Sequence, residues 1–202
     1  MRMLYGLIVL LLIVNPVMAD NKHVAKQLLK STLDNAIVVL KNKALGIEEK
    51  GKQISDIVSP MFDFNKMAQL ALGKQHWMGL AKEDQKKYTD LFVNRLKASY
   101  LEKLNLYTDE DIVYNDAVEI QDKINILTEL VTKDNRISML YKLYKSEACW
   151  RIYDMEIQGI SIIRTYRSQF DQVLSSGNIN DLFKSLENPE NGKPNDKGRA
   201  GL

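Results

Sequence analysis

The chain has 202 residues, and its 28 Lys and Arg nearly balance its 26 Asp and Glu, which leaves a net charge of +2. A hydrophobic content of 45% is typical of a globular protein, and the charge balance argues against a general nucleic-acid binder. The single cysteine excludes an intramolecular disulfide, and together with two histidines it supplies too few ligands for a structural zinc site of the Cys/His type.

The first 19 residues have the pattern of a secretory signal peptide. Arg2 gives a positively charged start, residues 7–14 form a continuous apolar run, and Val17-Met18-Ala19 provides a cleavage site after Ala19. The run is shorter than the roughly 18 apolar residues of a membrane-spanning helix, although an uncleaved anchor is the alternative interpretation. The sequence therefore predicts a protein that is exported and is soluble after cleavage.

The next segments show the three- and four-residue spacing of apolar side chains that is typical of amphipathic helices. This spacing predicts a helix over residues 21–44, a second that ends near Pro60, a short third that Asp63 opens and Gly73 closes, and a fourth over residues 82–106. The predicted buried stripe of the first helix comprises Val24, Leu28, Leu29, Leu33, Ala36, Ile37 and Leu40. A lysine-rich face of the fourth helix is a candidate docking surface and comprises Lys86, Lys87, Lys97 and Lys103.

After Asp109 the pattern changes to the alternation of apolar and polar residues that is typical of strands. Four such runs with short connections predict a meandering antiparallel sheet with one face packed on the helices. The alternating residues are Ile112, Tyr114, Val118 and Ile120, then Ile124, Ile126, Thr128 and Leu130, then Ile137, Met139, Tyr141 and Leu143, and finally Trp150, Ile152, Met155 and Ile157. Gly159 is predicted to end the last strand.

Helical spacing returns over residues 161–175 and again over residues 179–186. Residues 187–202 have the composition of a disordered tail. Because no repeat or long linker interrupts the pattern, the chain is predicted to form one α+β domain over residues 20–186.

Few side chains suggest catalysis. Cys149 lies beside Trp150 in a predicted strand, which favours an inert buried thiol. His76 is predicted to lie in a loop without a partner acid. Asp154 and Glu156 lie two residues apart on one strand and share a face, but nothing in the sequence indicates the environment that a general acid and base need. We therefore predict no catalytic residue, metal or cofactor. The apolar residues indicate either a filled core or a cavity for an apolar ligand, and periodicity does not separate the two.

Two segments resemble one protein family. The first is Phe62–Gly73 (FDFNKMAQLALG), followed by Trp77 and Gln85, and the second is Trp150–Phe170 (WRIYDMEIQGISIIRTYRSQF). In this order they resemble the MlaC family of periplasmic phospholipid-binding proteins, also called toluene-tolerance auxiliary proteins, over about residues 25–186. The resemblance implies a twisted antiparallel sheet of about four strands wrapped by six or seven helices, similar to the NTF2 and cystatin folds, with an apolar cavity between sheet and helices.

The resemblance also implies a monomeric carrier that moves phospholipid through the periplasm. It would exchange lipid between an outer-membrane lipoprotein/porin complex and an inner-membrane ABC transporter with an MCE-type ring, and so maintain the lipid asymmetry of the outer membrane. The acyl chains would lie between sheet and helices. The side chains expected to contact them are Phe64, Met67, Leu70, Trp77, Phe92, Leu96, Tyr100, Leu104, Ile124, Ile126, Tyr141, Leu143, Met155, Ile157, Ile160, Ile163 and Tyr166.

Two positions depart from the family pattern. Lys142 lies where members often have Arg, and it is the candidate for contacting the lipid head group although it lacks the planar guanidinium. Lys82-Glu83 replaces the Ser or Thr and Pro that often open the long helix. Two alternatives stay open: an NTF2-like enzyme that uses Asp154 or Tyr141 on an apolar substrate, and an adaptor of the transporter with a filled core and no ligand.

Overall fold

The computed structural model of the protein describes residues 20–101, 111–131, 135–147 and 149–188. The chain begins with α1 (Asn21–Lys41), α2 (Ile47–Val58), a 3-10 turn (Ser59–Met61), α3 (Phe64–Leu72), α4 (Lys74–Gly79) and α5 (Lys82–Leu101). The strands β1 (Asp111–Ile120), β2 (Lys123–Val131), β3 (Arg136–Ser146), β4 (Cys149–Ile157) and β5 (Ile160–Ser161) follow, and then α6 (Ile162–Ser176) and α7 (Ile179–Glu187). This arrangement confirms the predicted α+β class.

The strands form one antiparallel sheet in the order β1-β2-β3-β4-β5, which confirms the predicted meander. The sheet has a fifth strand that was not predicted. The chain does not leave the sheet at Gly159, because Gln158 (φ 52°) and Gly159 (φ 76°) reverse its direction and Ile160 pairs with Ile157. This two-residue strand leads directly into α6.

A β-bulge corrects the predicted inward face of β1. Tyr114 pairs with Thr128, but Ala117 pairs with Ile126, so β1 carries one extra residue between them. A bulge of this kind changes which face the following side chains occupy. Ala117 therefore faces the core, and the predicted core residues Val118 and Ile120 are 56% and 51% exposed.

The buried stripe of α1 also differs from the prediction. The buried residues are Ala25, Leu29, Ala36 and Leu40, whereas Val24 and Leu28 are 42% and 38% exposed. Val24 and Leu28 each precede a buried position by one residue, which places them about 100° around the helix from the core. The helix ends at Lys41 rather than at residue 44, because the amide of Asn42 turns back to the carbonyl of Val39 at 3.1 Å.

Three smaller predictions are wrong. Cys149 is exposed, because Trp150 occupies the core and alternation directs the first residue of β4 to the other face. His76 lies in the short helix α4 rather than in a loop. Helix α7 includes Glu187, one residue beyond the predicted domain end.

Several predictions lie outside the described residues: the signal peptide at residues 1–19, Lys103, Leu104 and the rest of the fourth predicted helix, the side chain of Tyr100, and residues 189–202 of the predicted tail. None of the described helices combines the length and the apolar content that crossing a membrane requires.

Candidate functional site

A small pocket of about 120 Å³ lies where α2, the 3-10 turn, α3, α5, β4 and α6 meet. The residues that line it are Ser55, Val58, Ser59, Phe62, Phe64, Met67, Leu96, Lys97, Met155 and Ile162. The surface that they present to the pocket is entirely apolar, although serines and a lysine are among them. Such a pocket suits a hydrocarbon group and offers no reactive atom.

The pocket lies at the boundary between two hydrophobic cores. The helical core is built from α3, α5, α6 and α7 around four aromatic rings whose centroids lie 5.3 to 6.2 Å apart, those of Tyr88, Phe92, Tyr166 and Phe170. The sheet core joins α1 to the inner face of β2, β3 and β4. Phe62 and Met155 pack against both cores and line the pocket. The pocket is therefore a gap in the seam where the two cores meet.

The turn before α3 fixes the aromatic wall of the pocket. The carboxylate of Asp63 caps α3 by accepting the Lys66 amide at 2.8 Å, and it also accepts the Tyr144 hydroxyl. The amide of Asp63 donates to a carbonyl of β4 at 2.9 Å. Because the turn is held to the sheet in this way, the stacked rings of Phe62 and Phe64, 5.6 Å apart, occupy a fixed position beside the pocket.

A cation and two hydroxyls lie at the edge of the pocket. Lys97 on α5 is half-buried, and its Nζ lies 5.5 Å from the centroid of the Phe64 ring. Its methylene stem lines the pocket while the ammonium stays outside. The hydroxyls of Ser55 and Ser59 are 3.4 Å apart and bond to each other. Polar groups thus surround the edge of an apolar interior.

Lys142, the predicted head-group contact, lies on the other face of the sheet. Its neighbours Tyr141 and Leu143 are buried in the sheet core, so alternation directs Lys142 away from the helices. Its Nζ lies 3.2 Å from Asp154 and 2.6 Å from Glu156. Partial burial lowers the pKa of Lys142, but the bonds to both carboxylates outweigh burial and raise it. The head-group role of Lys142 stays a prediction, and this geometry does not favour it.

Asp154 and Tyr141, the two residues of the alternative enzyme hypothesis, have contacts that suit a structural role. Asp154 accepts the Ser161 hydroxyl at 2.9 Å and the Ile163 amide at 3.3 Å, and so joins β4 to the start of α6. Tyr141 is buried, and burial raises the pKa of its hydroxyl to about 12, so it stays protonated at neutral pH. In the part of the chain that the structure describes, no group of three or more His, Cys, Asp or Glu could hold a metal ion.

The predicted lipid-contacting residues divide into groups. Those that line the pocket are Phe64, Met67, Leu96 and Met155. Those that pack in or against the two cores away from it are Leu70, Trp77, Phe92, Ile124, Ile126, Tyr141, Leu143, Ile157, Ile163 and Tyr166. Ile160 is 50% exposed on β5. Contact with a ligand stays a prediction for all of these residues.

The sequence prediction did not include six of the pocket residues, namely Ser55, Val58, Ser59, Phe62, Lys97 and Ile162. Phe62 and Ile162 lie within the two segments that carry the family resemblance, so this signal could have identified them. Lys97 was predicted only as part of the lysine-rich face of the fourth helix, either a docking surface or a solvated face. No local pattern indicates that the end of α2 meets α5 and α6 at the pocket.

Comparison with known proteins identifies relatives of this fold. The structure is similar to that of the phospholipid-binding protein from Ralstonia solanacearum in complex with a phospholipid, with a TM-score of 0.73 and 23% sequence identity, over 81% of this chain and 94% of that chain. This likeness shows a shared fold. No curated protein matches the sequence significantly. The family model described as MlaC protein matches residues 30–188. Since this match spans most of the 202 residues, the chain belongs to the MlaC family.

Proposed function

We propose that the protein is a non-enzymatic phospholipid carrier of the periplasm. It exchanges lipid with an outer-membrane lipoprotein/porin complex and with an inner-membrane MCE/ABC transporter, and thereby maintains the lipid asymmetry of the outer membrane. It reaches the periplasm through a signal peptide that is cleaved after Ala19, and it works as a monomer. Membership of the MlaC family supports this proposal, as does the shared fold with a protein whose structure contains a phospholipid.

The observation that carries the proposal is the apolar pocket in the seam between the two cores. A phospholipid has on the order of 30 chain methylenes, each of which gains about 0.8 kcal/mol when it leaves water. An unshielded lipid therefore meets a barrier of roughly 24 kcal/mol when it leaves a bilayer. A protein interior that replaces the bilayer interior removes most of this barrier without any covalent chemistry.

The size of the pocket indicates how the lipid is accommodated. Its volume of about 120 Å³ is too small for a complete acyl chain. For comparison, an apolar cavity of about 150 Å³ takes up one benzene molecule. The chains therefore enter as the seam widens, with the pocket as the starting point. Because hydrogen bonding to β4 holds Phe62 in place, the wall that moves as the seam opens is the one formed by the end of α2.

The direct test is the lipid content of the protein. Protein purified from the periplasm is unfolded and extracted, and the extract is analysed by mass spectrometry for phospholipid. We expect one or more phospholipid molecules per protein molecule. We also expect the intact mass of the polypeptide to be that of a chain that begins at Asp20. A protein that carries no phospholipid and also takes up none from liposomes would overturn the proposal.

The same assay addresses the enzyme alternative. Asp154→Asn removes the buried carboxylate but keeps a side chain of similar shape. If the protein is a carrier, we expect Asp154→Asn to reduce lipid uptake only through its effect on stability, because the carboxylate joins β4 to α6. A turnover of an apolar substrate that Asp154→Asn abolishes, with bound lipid unchanged, would instead support an enzyme.

A further inference from the structure

The lysines of α5 differ in their partners. Lys86 pairs with Asp90 at 2.7 Å, and Lys87 pairs with Glu187 at 3.4 Å. Lys97 has an aromatic ring as its partner instead, because its Nζ lies 5.5 Å from the centroid of Phe64. No carboxylate of the described residues forms an ion pair with it. Within the part of the chain that the structure describes, no carboxylate neutralises its charge, in contrast to that of Lys142.

The position of Lys97 matters because it lies at the edge of the apolar pocket. Its stem forms part of the wall, so the half-buried side chain runs from the pocket to the rim and ends there in the ammonium. A ligand whose hydrocarbon end occupies the pocket brings its polar end to this rim. Because no carboxylate of the described residues pairs with this cation, and because the half-buried side chain is less screened by water, the rim favours an anion.

We propose that Lys97 binds the phosphodiester of the lipid and that it gives the protein a preference for lipids with a net negative head group over zwitterionic ones. The proposal rests on the carrier function above and extends it to lipid class. A zwitterionic head group brings its own cation close to the same phosphate, and this cation is repelled by the Lys97 ammonium. An anionic head group such as that of phosphatidylglycerol has no such cation.

The test is a competition for uptake. Delipidated mature protein is incubated with vesicles of equal parts phosphatidylglycerol and phosphatidylcholine with identical acyl chains, recovered, and analysed for both lipids. We expect an excess of phosphatidylglycerol of about tenfold, because only phosphatidylcholine carries a cation that the Lys97 ammonium repels. The Lys97→Met variant, which keeps the apolar stem, should take up the two lipids in nearly equal amounts. The Lys97→Arg variant should keep the preference for phosphatidylglycerol.

A matched control is Lys123→Met. Lys123 also lies over an aromatic ring, with its Nζ 5.5 Å from the centroid of Tyr153, but it is on β2 and does not line the pocket. This variant should retain the preference of the wild type. Glycerol phosphate, which has no acyl chains, should not compete at millimolar concentration, because the proposed site needs the tails in the pocket.

The outcomes separate the two proposals. A wild type that takes up lipid without a class preference, or a Lys97→Met variant with an unchanged preference, would overturn the role of Lys97 and leave the carrier function intact. Competition by glycerol phosphate would show that Lys97 belongs to a site for free phosphate and not to a lipid site. A wild type that takes up neither lipid would contradict the carrier function itself.

Discussion

Gly73 separates α3 from α4 with a backbone conformation (φ 88°, ψ 148°) that is nearly restricted to glycine. A Cβ at this position would displace only the guanidinium of Arg167, the end of an exposed and flexible side chain, so the cost comes from the backbone conformation. We expect Gly73→Ala to lower the free energy of unfolding by about 2 kcal/mol, measured by urea denaturation. Gly79→Ala is the control, because its Cβ meets nothing within 4 Å, and it should change stability little. Equal effects of the two changes would contradict this account.

The carboxylate of Asp34 links α1 to β1 by accepting a hydrogen bond from Tyr114. This carboxylate lies 2.6 Å from the Nζ of Lys30 and accepts the Tyr114 hydroxyl at 2.8 Å. The bond to Lys30, assisted by that to Tyr114, lowers the pKa of Asp34 below its ordinary value of 3.8, against the opposing effect of desolvation. A carboxyl with a lowered pKa in the folded state stabilises the fold above pH 3.8, and this contribution is lost as the pH falls through the folded pKa.

We expect Asp34→Asn to lower the free energy of unfolding by about 0.5 kcal/mol at pH 7, a small value because the side chain is half-exposed. The difference from the wild type should shrink below pH 3.8 and vanish once the native carboxyl is protonated. Urea denaturation at pH 7 and at about pH 3 measures the difference and its decrease. A difference that is independent of pH would show that the charge of Asp34 is not responsible.

At the scale of elements, the sequence predicted the type and order of the helices and strands, because helical and strand periodicities are strong over long segments. It did not predict which face some side chains occupy. The bulge in β1 exposes Val118 and Ile120. By contrast, a second bulge, which leaves Tyr153 as the extra residue of β4, agrees with the predicted step from Ile152 to Met155. The alternation within β1 does not record its bulge, because the bulge depends on how β1 aligns with β2.

Helix α2 is attached differently from the other helices that line the pocket. Its buried residue Ile54 packs with Ala36 and Leu40 of α1 in a small cluster that is separate from the two larger cores. The residues at its end, Ser55 and Val58, form one wall of the pocket. An element with few buried apolar contacts is the first to open locally. We therefore infer that α2 moves away from the pocket when lipid enters.

We expect Ile54→Ala to weaken this attachment by about 2 kcal/mol, and hence to speed hydrogen exchange of the α2 amides about thirtyfold. The amides of α6 should keep their protection, and lipid uptake from vesicles should become faster. Leu182→Ala, a truncation in the helical core, is the control, and it should reduce protection throughout that core. Similar losses of protection in α2 and α6 after Ile54→Ala would show that α2 does not open separately.

At the scale of the whole molecule, the fold and the family resemblance could be predicted, whereas most of the pocket could not. The sequence identifies which side chains are apolar, but the pocket forms where the cores fail to meet completely. This gap depends on how α2, α5 and α6 are placed around β4. Met155 was among the predicted lipid contacts, but the packing of Met155 and Phe62 against both cores depends on the three-dimensional fold.

Filling the seam tests whether the pocket is the entry point for lipid. Val58→Trp places an indole in a space of about 120 Å³ at the end of α2. We expect the variant to fold with a stability within about 1 kcal/mol of the wild type, because the added ring occupies existing space. It should lose the phospholipid that the wild type carries, as measured by mass spectrometry of the extracted protein. Val38→Trp, on the exposed side of α1, is the matched control and should bind lipid normally. Normal lipid content in a folded Val58→Trp variant would show that the acyl chains enter elsewhere between the sheet and the helices.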